Sequence, residues 1–190
     1  MDNKNNYFIH PKAIVDTKDI GKDTRIWAFV HILSRVKIGL NCNICDFCFI
    51  ENGVSLGNNV TVKSGVYLWE GITIKDGVFI GPNVTFTNDI KPRSKDYPEN
   101  YLKTTISEGA SLGANSTILP GITIGKYAMT GAGSVVTRNV EDFNLVIGNP
   151  ARFKSYICKC TAEINFKNNK YSCNCGEEYK LENNKVKSIK

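Results

Sequence analysis

Thiols and imidazoles are the side chains whose number most limits the chemistry open to this 190-residue chain, which holds seven cysteines and two histidines, His10 and His31. Four cysteines lie near the C-terminus as two close pairs, Cys158-Lys-Cys160 and Cys173-Asn-Cys175. Two such pairs can share one four-coordinate zinc ion, with Asn168-Asn169 as a hairpin turn between strands. Zinc knuckles usually use C-x-x-C, and the tighter C-x-C is expected to strain a shared tetrahedral centre. Free thiols and disulfides therefore stand beside zinc as readings of Cys158, Cys160, Cys173 and Cys175. The odd count and the split into two groups do not form a secreted disulfide framework, and a reducing compartment suits both groups. Cys42 and Cys48 fall at inward positions of the repeat described below and read as small buried hydrophobes. Two histidines are too few for a three-histidine metal centre of the carbonic-anhydrase kind.

The composition, 42% hydrophobic and 22% charged, is that of an ordinary globular protein with one main domain. The N-terminal run Met-Asp-Asn-Lys-Asn-Asn lacks an apolar stretch of signal-peptide length, and no later run is long enough to cross a bilayer. A cytoplasmic protein with no membrane partner is expected. The net charge of +6 favours anionic partners such as nucleotides or coenzyme A. The basic residues are scattered rather than clustered, so no nucleic-acid partner is expected.

The elements that position these residues follow from a fixed period. Stepping by six from Ile14 gives Ile20, Ile26, Ile32, Ile38, Ile44, Ile50, Leu56, Val62, Leu68, Ile74, Ile80 and Phe86 without one polar residue. A second series, Thr24, Val30, Val36, Cys42, Cys48, Val54, Val60, Val66, Ile72, Val78 and Val84, lies four positions after members of the first. Glycine often follows the first series, as at Gly21, Gly39, Gly57 and Gly81. Period six suits short strands joined by tight turns, with β-branched residues inward and glycine relieving strain at the bends. The expectation is an all-β solenoid in which each coil rests on its neighbours.

The pattern stops after Phe86 and resumes at Ile106, and the step between these positions is not a multiple of six. The segment 88–105 is polar, contains Pro92 and Pro98, and reads as a loop ejected from the solenoid. Loops of that length inside a compact domain are usually functional. The expected domains are 1–153 for the solenoid and 154–190 for a small cysteine-rich hairpin tail.

The hexad register, the ejected loop and the runs Gly131-Ala-Gly-Ser-Val-Val-Thr-Arg and Gly148-Asn-Pro-Ala-Arg152 resemble the hexapeptide-repeat acyltransferases. Within them, Asn43-Ile-Cys-Asp, Phe49-Ile-Glu-Asn, Tyr67-Leu-Trp-Glu-Gly, Gly81-Pro-Asn-Val-Thr-Phe-Thr-Asn-Asp and Pro92-Arg-Ser are similar to N-acetyltransferases of nucleotide-linked amino sugars. The likeness is strongest to those acting on the 3-amino group of dTDP-3-amino-3,6-dideoxyhexoses for cell-surface glycan biosynthesis. The resemblance implies a left-handed parallel β-helix of three-sided coils, a homotrimer with sites between subunits, and acetyl-coenzyme A as co-substrate. It also implies coenzyme contacts at Ala114, Ala132, Thr137, Arg138 and Arg152. Small residues at 114 and 132 suit an arm that must approach the main chain closely.

With three sides to a coil the pattern repeats every 3 × 6 = 18 positions, so Asn88 is expected to stack on Glu70 (88 − 18), Asn52 (70 − 18) and Ser34 (52 − 18). This polar column beside the loop is a candidate seat for a sugar's hydroxyls and amine. The resemblance places the reacting amine near Asn88 and Asp89, the candidate catalytic pair, with Asn52 and Glu70 contacting the sugar or fixing that geometry. His31, at a corner stacked with Phe49 and Tyr67, is a candidate substrate contact together with Tyr67. Many relatives that acetylate hydroxyls use a loop histidine as base, and this loop has none. An amine in its neutral form attacks a thioester without such activation, so N-acetylation is expected, with O-acetylation as the alternative.

Overall fold

The computed structural model describes residues 6–190, and residues 1–5, the start of the expected 1–153 domain, lie outside the described residues. Two-residue strands dominate, and they assemble into three parallel sheets that form the sides of a left-handed β-helix. The first sheet contains Arg25–Ile26, Asn43–Ile44, Thr61–Val62, Phe79–Ile80, Ser111–Leu112 and Met129–Thr130. His31–Ile32, Phe49–Ile50, Tyr67–Leu68, Thr85–Phe86, Thr117–Ile118 and Val135–Val136 belong to the second. Lys37–Ile38, Ser55–Leu56, Ile72–Ile74, Thr104–Ile106 and Thr123–Ile124 make the third. Partners such as Asn43↔Thr61 and Phe49↔Tyr67 are offset by one full three-sided coil (61 − 43 = 67 − 49 = 18).

Each strand carries one residue outward and one inward, and both apolar series fill the interior from Ile26 to Val140. Ile14 departs from the expected register. It is 60% exposed, and its neighbour Val15 packs on the core instead. The pairings Ile14↔His31 and Ile9↔Ile26 have an offset of 17 (31 − 14 and 26 − 9), so the first coil falls one position short and the side that faces in is flipped. Ile80, fully buried between Val62 and Leu112 on the neighbouring coils, tests the packing. Ile80→Ala is expected to cost about 2–5 kcal/mol in urea unfolding.

The glycine column has a direct cause. A Cβ on Gly21 would lie 2.3 Å from the Gly39 carbonyl carbon, and one on Gly39 would lie 2.4 Å from the Gly57 carbonyl oxygen. Elsewhere the corners hold residues in the left-handed region, mostly asparagine or glycine, such as Asn41 (φ 52°), Asn59 (φ 56°) and Gly77 (φ 67°). Phe29, Phe47, Tyr127 and Phe143 occupy the same backbone region at φ 53–61°. Inward polar residues are satisfied, for example Thr24, whose hydroxyl donates to the Gly39 carbonyl (2.9 Å) and accepts from the Cys42 amide (3.0 Å). Among the described residues no buried side-chain nitrogen or oxygen lacks a partner.

The loop is shorter at its far end than the expected 88–105. Thr104 and Thr105 already belong to the strand Thr104–Ile106, paired with Ile72 and Thr73. Thr104 takes an inward position despite its polarity because its hydroxyl accepts the Gly121 amide (3.1 Å). Above the loop the helix resumes in step, since Phe86 pairs in register with Ile118 and the third-sheet partners Ile74 and Ile106 follow the same offset.

The last coil ends in Asn144–Ile147, which pairs antiparallel with Arg152–Ile157, a strand that runs across the expected boundary at 153. The chain then forms a three-stranded antiparallel sheet of Lys170–Ser172, Glu178–Glu182 and Lys185–Ser188. Asn168 and Asn169 both have positive φ and form the expected hairpin turn, and Asn183-Asn184 forms a second one of the same kind.

Candidate active site

The polar column expected from the coil period stands at the corner between the second and third sheets. The Asn88 side-chain amide donates to the Glu70 carbonyl (3.4 Å), so the two residues stack as expected. Below them, Asn52 Oδ1 accepts the Arg35 amide (3.0 Å) and Glu51 Oε2 accepts the Glu70 amide (2.7 Å). Asn52, Asn88 and Asp89 are half-buried, and Glu70 is exposed at the rim.

Both roots of the loop are fixed against this corner. At its start, Trp69 Nε1 donates to the Phe86 carbonyl (2.9 Å) and Asp89 Oδ1 accepts the Lys91 amide (2.9 Å). The latter is an Asx turn, which ties down the Asp89 carboxylate where the chain leaves the helix. At its end, the loop passes tightly over Gly71, whose φ is +92° and where a Cβ would stand 2.8 Å from the Leu102 carbonyl oxygen. The Thr104 amide then donates to the Gly71 carbonyl (3.0 Å). Beyond these anchors the loop is exposed, with Ile90 and Tyr97 facing outward at 61% and 76%.

His31 does not sit on a corner. It opens the strand His31–Ile32 on the outer face of the second sheet, because the corner residues before it, Trp27 to Val30, complete their turn one position earlier. Its ring lies edge-on to Phe49 (5.5 Å), which contacts Tyr67 (6.4 Å) and Trp69 (5.6 Å). With the stacked pair Phe29 and Phe47 these rings line an open groove of about 390 Å³ on the outer face of the second sheet. Neither Trp69 as the pin of the loop nor the two phenylalanines as groove wall emerges from sequence reasoning. The one available signal is aromatic residues standing where other coils carry asparagine or glycine.

The five residues implied for coenzyme contact separate into three places. Ala114 and Ala132 stack at the corner between the first and second sheets, where the Gly133 amide donates to the Ala114 carbonyl (2.8 Å) and a Cβ on Gly113 would meet the Ala132 nitrogen at 2.5 Å. Thr137 and Arg138 lie on the same corner as Asn88. The registers Phe86↔Ile118 and Ile118↔Val136 put Arg138 two coils beyond it, roughly 10 Å along the axis. Arg138 lines a cavity of about 180 Å³ with Ala151 and Phe153, and the adjacent Arg152 turns its guanidinium back to the Ala151 carbonyl (2.9 Å). The alanine corner and the Asn88 corner of one chain are separated by the full width of the second sheet.

Two groups of cysteines differ in kind. Burial pushes the Cys48 thiol up to about 11 and raises Cys42 in the same direction, so both remain protonated, inert core groups. The tail thiols Cys158, Cys160, Cys173 and Cys175 instead converge, with all four sulfurs within 4.8 Å of one another. The expected strain of C-x-C spacing does not keep them apart. Among the described residues no helix is long and apolar enough to cross a membrane.

Comparison with known proteins gives these features a common context. The sequence matches the bacterial transferase hexapeptide family (six repeats) over residues 53–88 and 103–138, leaving out 89–102, where the loop stands clear of the helix. It also matches the hexapeptide repeat of succinyl-transferase over 35–70. The chain is 59% identical over 162 residues to a dTDP-3-amino-3,6-dideoxy-alpha-D-galactopyranose 3-N-acetyltransferase of Aneurinibacillus thermoaerophilus, covering 85% of this chain and 84% of that one. It is 34% identical over 130 residues to a galactoside O-acetyltransferase of Lactococcus lactis, covering 67% of this chain and 53% of the relative. Among solved structures, a hexapeptide transferase family protein from Anaplasma phagocytophilum shares the fold with a TM-score of 0.54 at 19% identity, over 80% of each chain. With a repeat that packs as the family's does, and a relative of such identity over most of both chains, this chain belongs to the hexapeptide-repeat transferases.

Proposed function

We propose that this chain is an N-acetyltransferase that moves the acetyl group of acetyl-coenzyme A to the 3-amino group of a dTDP-linked 3-amino-3,6-dideoxyhexose. The observation that carries this reading is the 59% identity, across nearly the whole repeat, to a relative named for that reaction. The fixed loop root at Asn88 and Asp89 beside Glu70 supports it, because these groups offer hydrogen-bond acceptors to an amine and no histidine to a hydroxyl.

In this reading Asn88 and Asp89 orient the sugar amine, and Glu70 and Asn52 contact the sugar or hold that geometry. Tyr67 and His31 border the same acceptor from the second sheet. The neutral amine attacks the thioester carbonyl, forming the C–N bond of a tetrahedral intermediate. Collapse breaks the C–S bond, and the proton of the new ammonium passes to the departing thiolate directly or through Asp89. Positioning supplies much of the acceleration. Ala114 and Ala132 lie along the pantetheine arm, and Thr137, Arg138 and Arg152 face its polar end and phosphates.

One side of the prism spans roughly 15–20 Å, so the alanine corner and the Asn88 corner of one chain do not face each other. This separation supports a homotrimer in which one copy's Ala114–Ala132 corner meets the next copy's Asn88 corner, which also carries Thr137 and Arg138 two coils on. The working compartment is the cytoplasm, and the product feeds cell-surface glycan assembly. A zinc ion in the tail thiol cluster completes the set of bound groups. Helix and tail form two domains joined by the strand Arg152–Ile157, which crosses residue 153.

The test is thiol release from acetyl-coenzyme A against nucleotide-linked 3-amino and 4-amino sugars and their hydroxyl counterparts. Turnover of a 3-amino sugar alone is expected. Turnover only on a hydroxyl acceptor would replace this reading by O-acetylation.

A further inference from the structure

The tail takes no part in the acceptor geometry, yet its four thiols are arranged with more order than a chance cluster. Cys158 Sγ stands 3.4 Å from Cys160 Sγ and 3.5 Å from Cys175 Sγ, and Cys160 Sγ stands 3.5 Å from Cys173 Sγ. Four sulfurs bound to one zinc ion at about 2.3 Å lie roughly 3.8 Å apart along the edges of a tetrahedron. The donor set is thus already gathered near the size the ion needs, and four thiolates favour zinc over magnesium or calcium.

Both C-x-C units are built as the same turn. The Cys158 amide donates to the Ala162 carbonyl (2.8 Å) and the Thr161 amide to the Cys158 carbonyl (2.8 Å). In the second unit the Cys173 amide donates to the Glu177 carbonyl (2.8 Å) and the Gly176 amide to the Cys173 carbonyl (2.9 Å). The residue that follows the second cysteine has positive φ in each, Thr161 at 74° and Gly176 at 95°. Two copies of one turn, facing each other, present two sulfurs apiece to a common centre.

The cluster also connects to the helix. Tyr179 is fully buried, and its hydroxyl lies 3.1 Å from Cys158 Sγ and accepts the Lys159 amide at 3.1 Å. Its ring packs edge-on to Phe143 (5.3 Å), which is stacked on Tyr127 (5.5 Å, 17° between planes). Phe143 and Tyr127 are two of the aromatic residues held in the left-handed region at corners, here on the last coils. In that backbone conformation Phe143 forms the seat for Tyr179, and Tyr127 backs the Phe143 ring.

Few apolar residues are available to hold this seat closed. The second hydrophobic cluster has six buried members, Phe143, Cys158, Ile164, Cys173, Tyr179 and Val186, and two of these are the thiols themselves. A unit of this size, below about 40 residues, usually needs a metal or a crosslink to fold. We infer that one zinc ion bound by Cys158, Cys160, Cys173 and Cys175 is the latch that folds the tail and seats it, through Tyr179 on Phe143 and Tyr127, as a metal-dependent cap on the last coils of the β-helix. Binding replaces four S–H bonds by four Zn–S bonds and releases the thiol protons to solvent. The strand Arg152–Ile157 runs straight into Cys158 and covers the edge of Asn144–Ile147, so the latch also closes the open end of the solenoid. This inference rests on the zinc reading of the tail and is independent of the acetyl-transfer reading.

The experiment uses the full chain purified without chelator, with metal content by elemental analysis and amide hydrogen exchange followed by mass spectrometry. About one zinc per chain is expected, lost in Cys160→Ser and Cys175→Ser, whose thiols are exposed and whose replacement leaves the apolar contacts in place. Stripping the metal with a thiol-modifying reagent that is later removed should speed exchange in Asn144–Ile147 and around Tyr127 by about tenfold or more, and added zinc should restore it. Phe143→Ala should keep the zinc while loosening the same segments. Zinc below about 0.2 per chain with four titratable tail thiols, or iron in its place, would overturn the site. Full zinc content with exchange in the last coils unmoved by stripping would overturn the latch. Neither outcome depends on finding a substrate.

Discussion

Asp89→Ala is expected to lower kcat/KM for the amino sugar by about 10²–10³, with KM for acetyl-coenzyme A held within about twofold. The loss corresponds to roughly 3–4 kcal/mol, the scale of removing a group that acts on the reacting atom together with the turn that holds it. Asp89 Oδ1 already accepts the Lys91 amide at the loop root, which leaves its second oxygen to meet the amine. Asp89→Asn separates the two roles. Asparagine keeps the Asx turn and the loop root, so a drop that persists in Asp89→Asn belongs to the carboxylate charge. If Asp89→Asn retains the full rate and pH profile, Asp89 takes no part in proton transfer and only its turn matters. Steady-state kinetics of the two variants, each substrate varied in turn, decides between these outcomes.

The second large effect is expected at the opposite corner. Ala132→Leu should raise KM for acetyl-coenzyme A by about tenfold to a hundredfold while leaving kcat at saturation and KM for the sugar much less changed. The corner has little room. A Cβ on Gly113 would already meet the Ala132 nitrogen at 2.5 Å, so this stretch of backbone is built for close approach. A leucine side chain points outward from the turn and costs the fold little, since Ala132 is exposed. It would, however, occupy the path of a pantetheine arm lying against the main chain. An unchanged KM for acetyl-coenzyme A would move the coenzyme away from this corner.

These two corners are legible in the sequence to different degrees, for physical reasons. The period of six is imposed by inward-facing side chains, and together with the three-sided coil that the family resemblance implies it stacks Asn88 over Glu70, the pair that meets at 3.4 Å. It fails at Ile14 because Ile14 and Val15 are both β-branched and apolar, and nothing in their chemistry says which faces in. It misplaces the end of the loop because Thr104 is polar yet inward, and the Gly121 amide that satisfies it comes from the neighbouring coil. For the thiol cluster, C-x-C spacing by itself suggests strain. Two identical turns with positive φ at Thr161 and Gly176 remove that obstacle, and backbone conformation of this kind leaves little trace in residue type when one of the two is threonine. The groove of Phe29, Phe47 and Phe49 has no sequence signature as a unit, since Phe29 comes from the coil before Phe47 and Phe49 and joins them only through stacking.

Whether the acetyl group ends on nitrogen can be read from the product itself. Carbon-labelled acetyl-coenzyme A, incubated with the enzyme and dTDP-3-amino-3,6-dideoxyhexose, gives a product whose labelled carbonyl can be traced by NMR to the atom that carries it. An amide is expected, with the labelled carbonyl coupled to the proton on the nitrogen at C3. An ester on any ring oxygen, with the amine left free, would contradict N-acetylation.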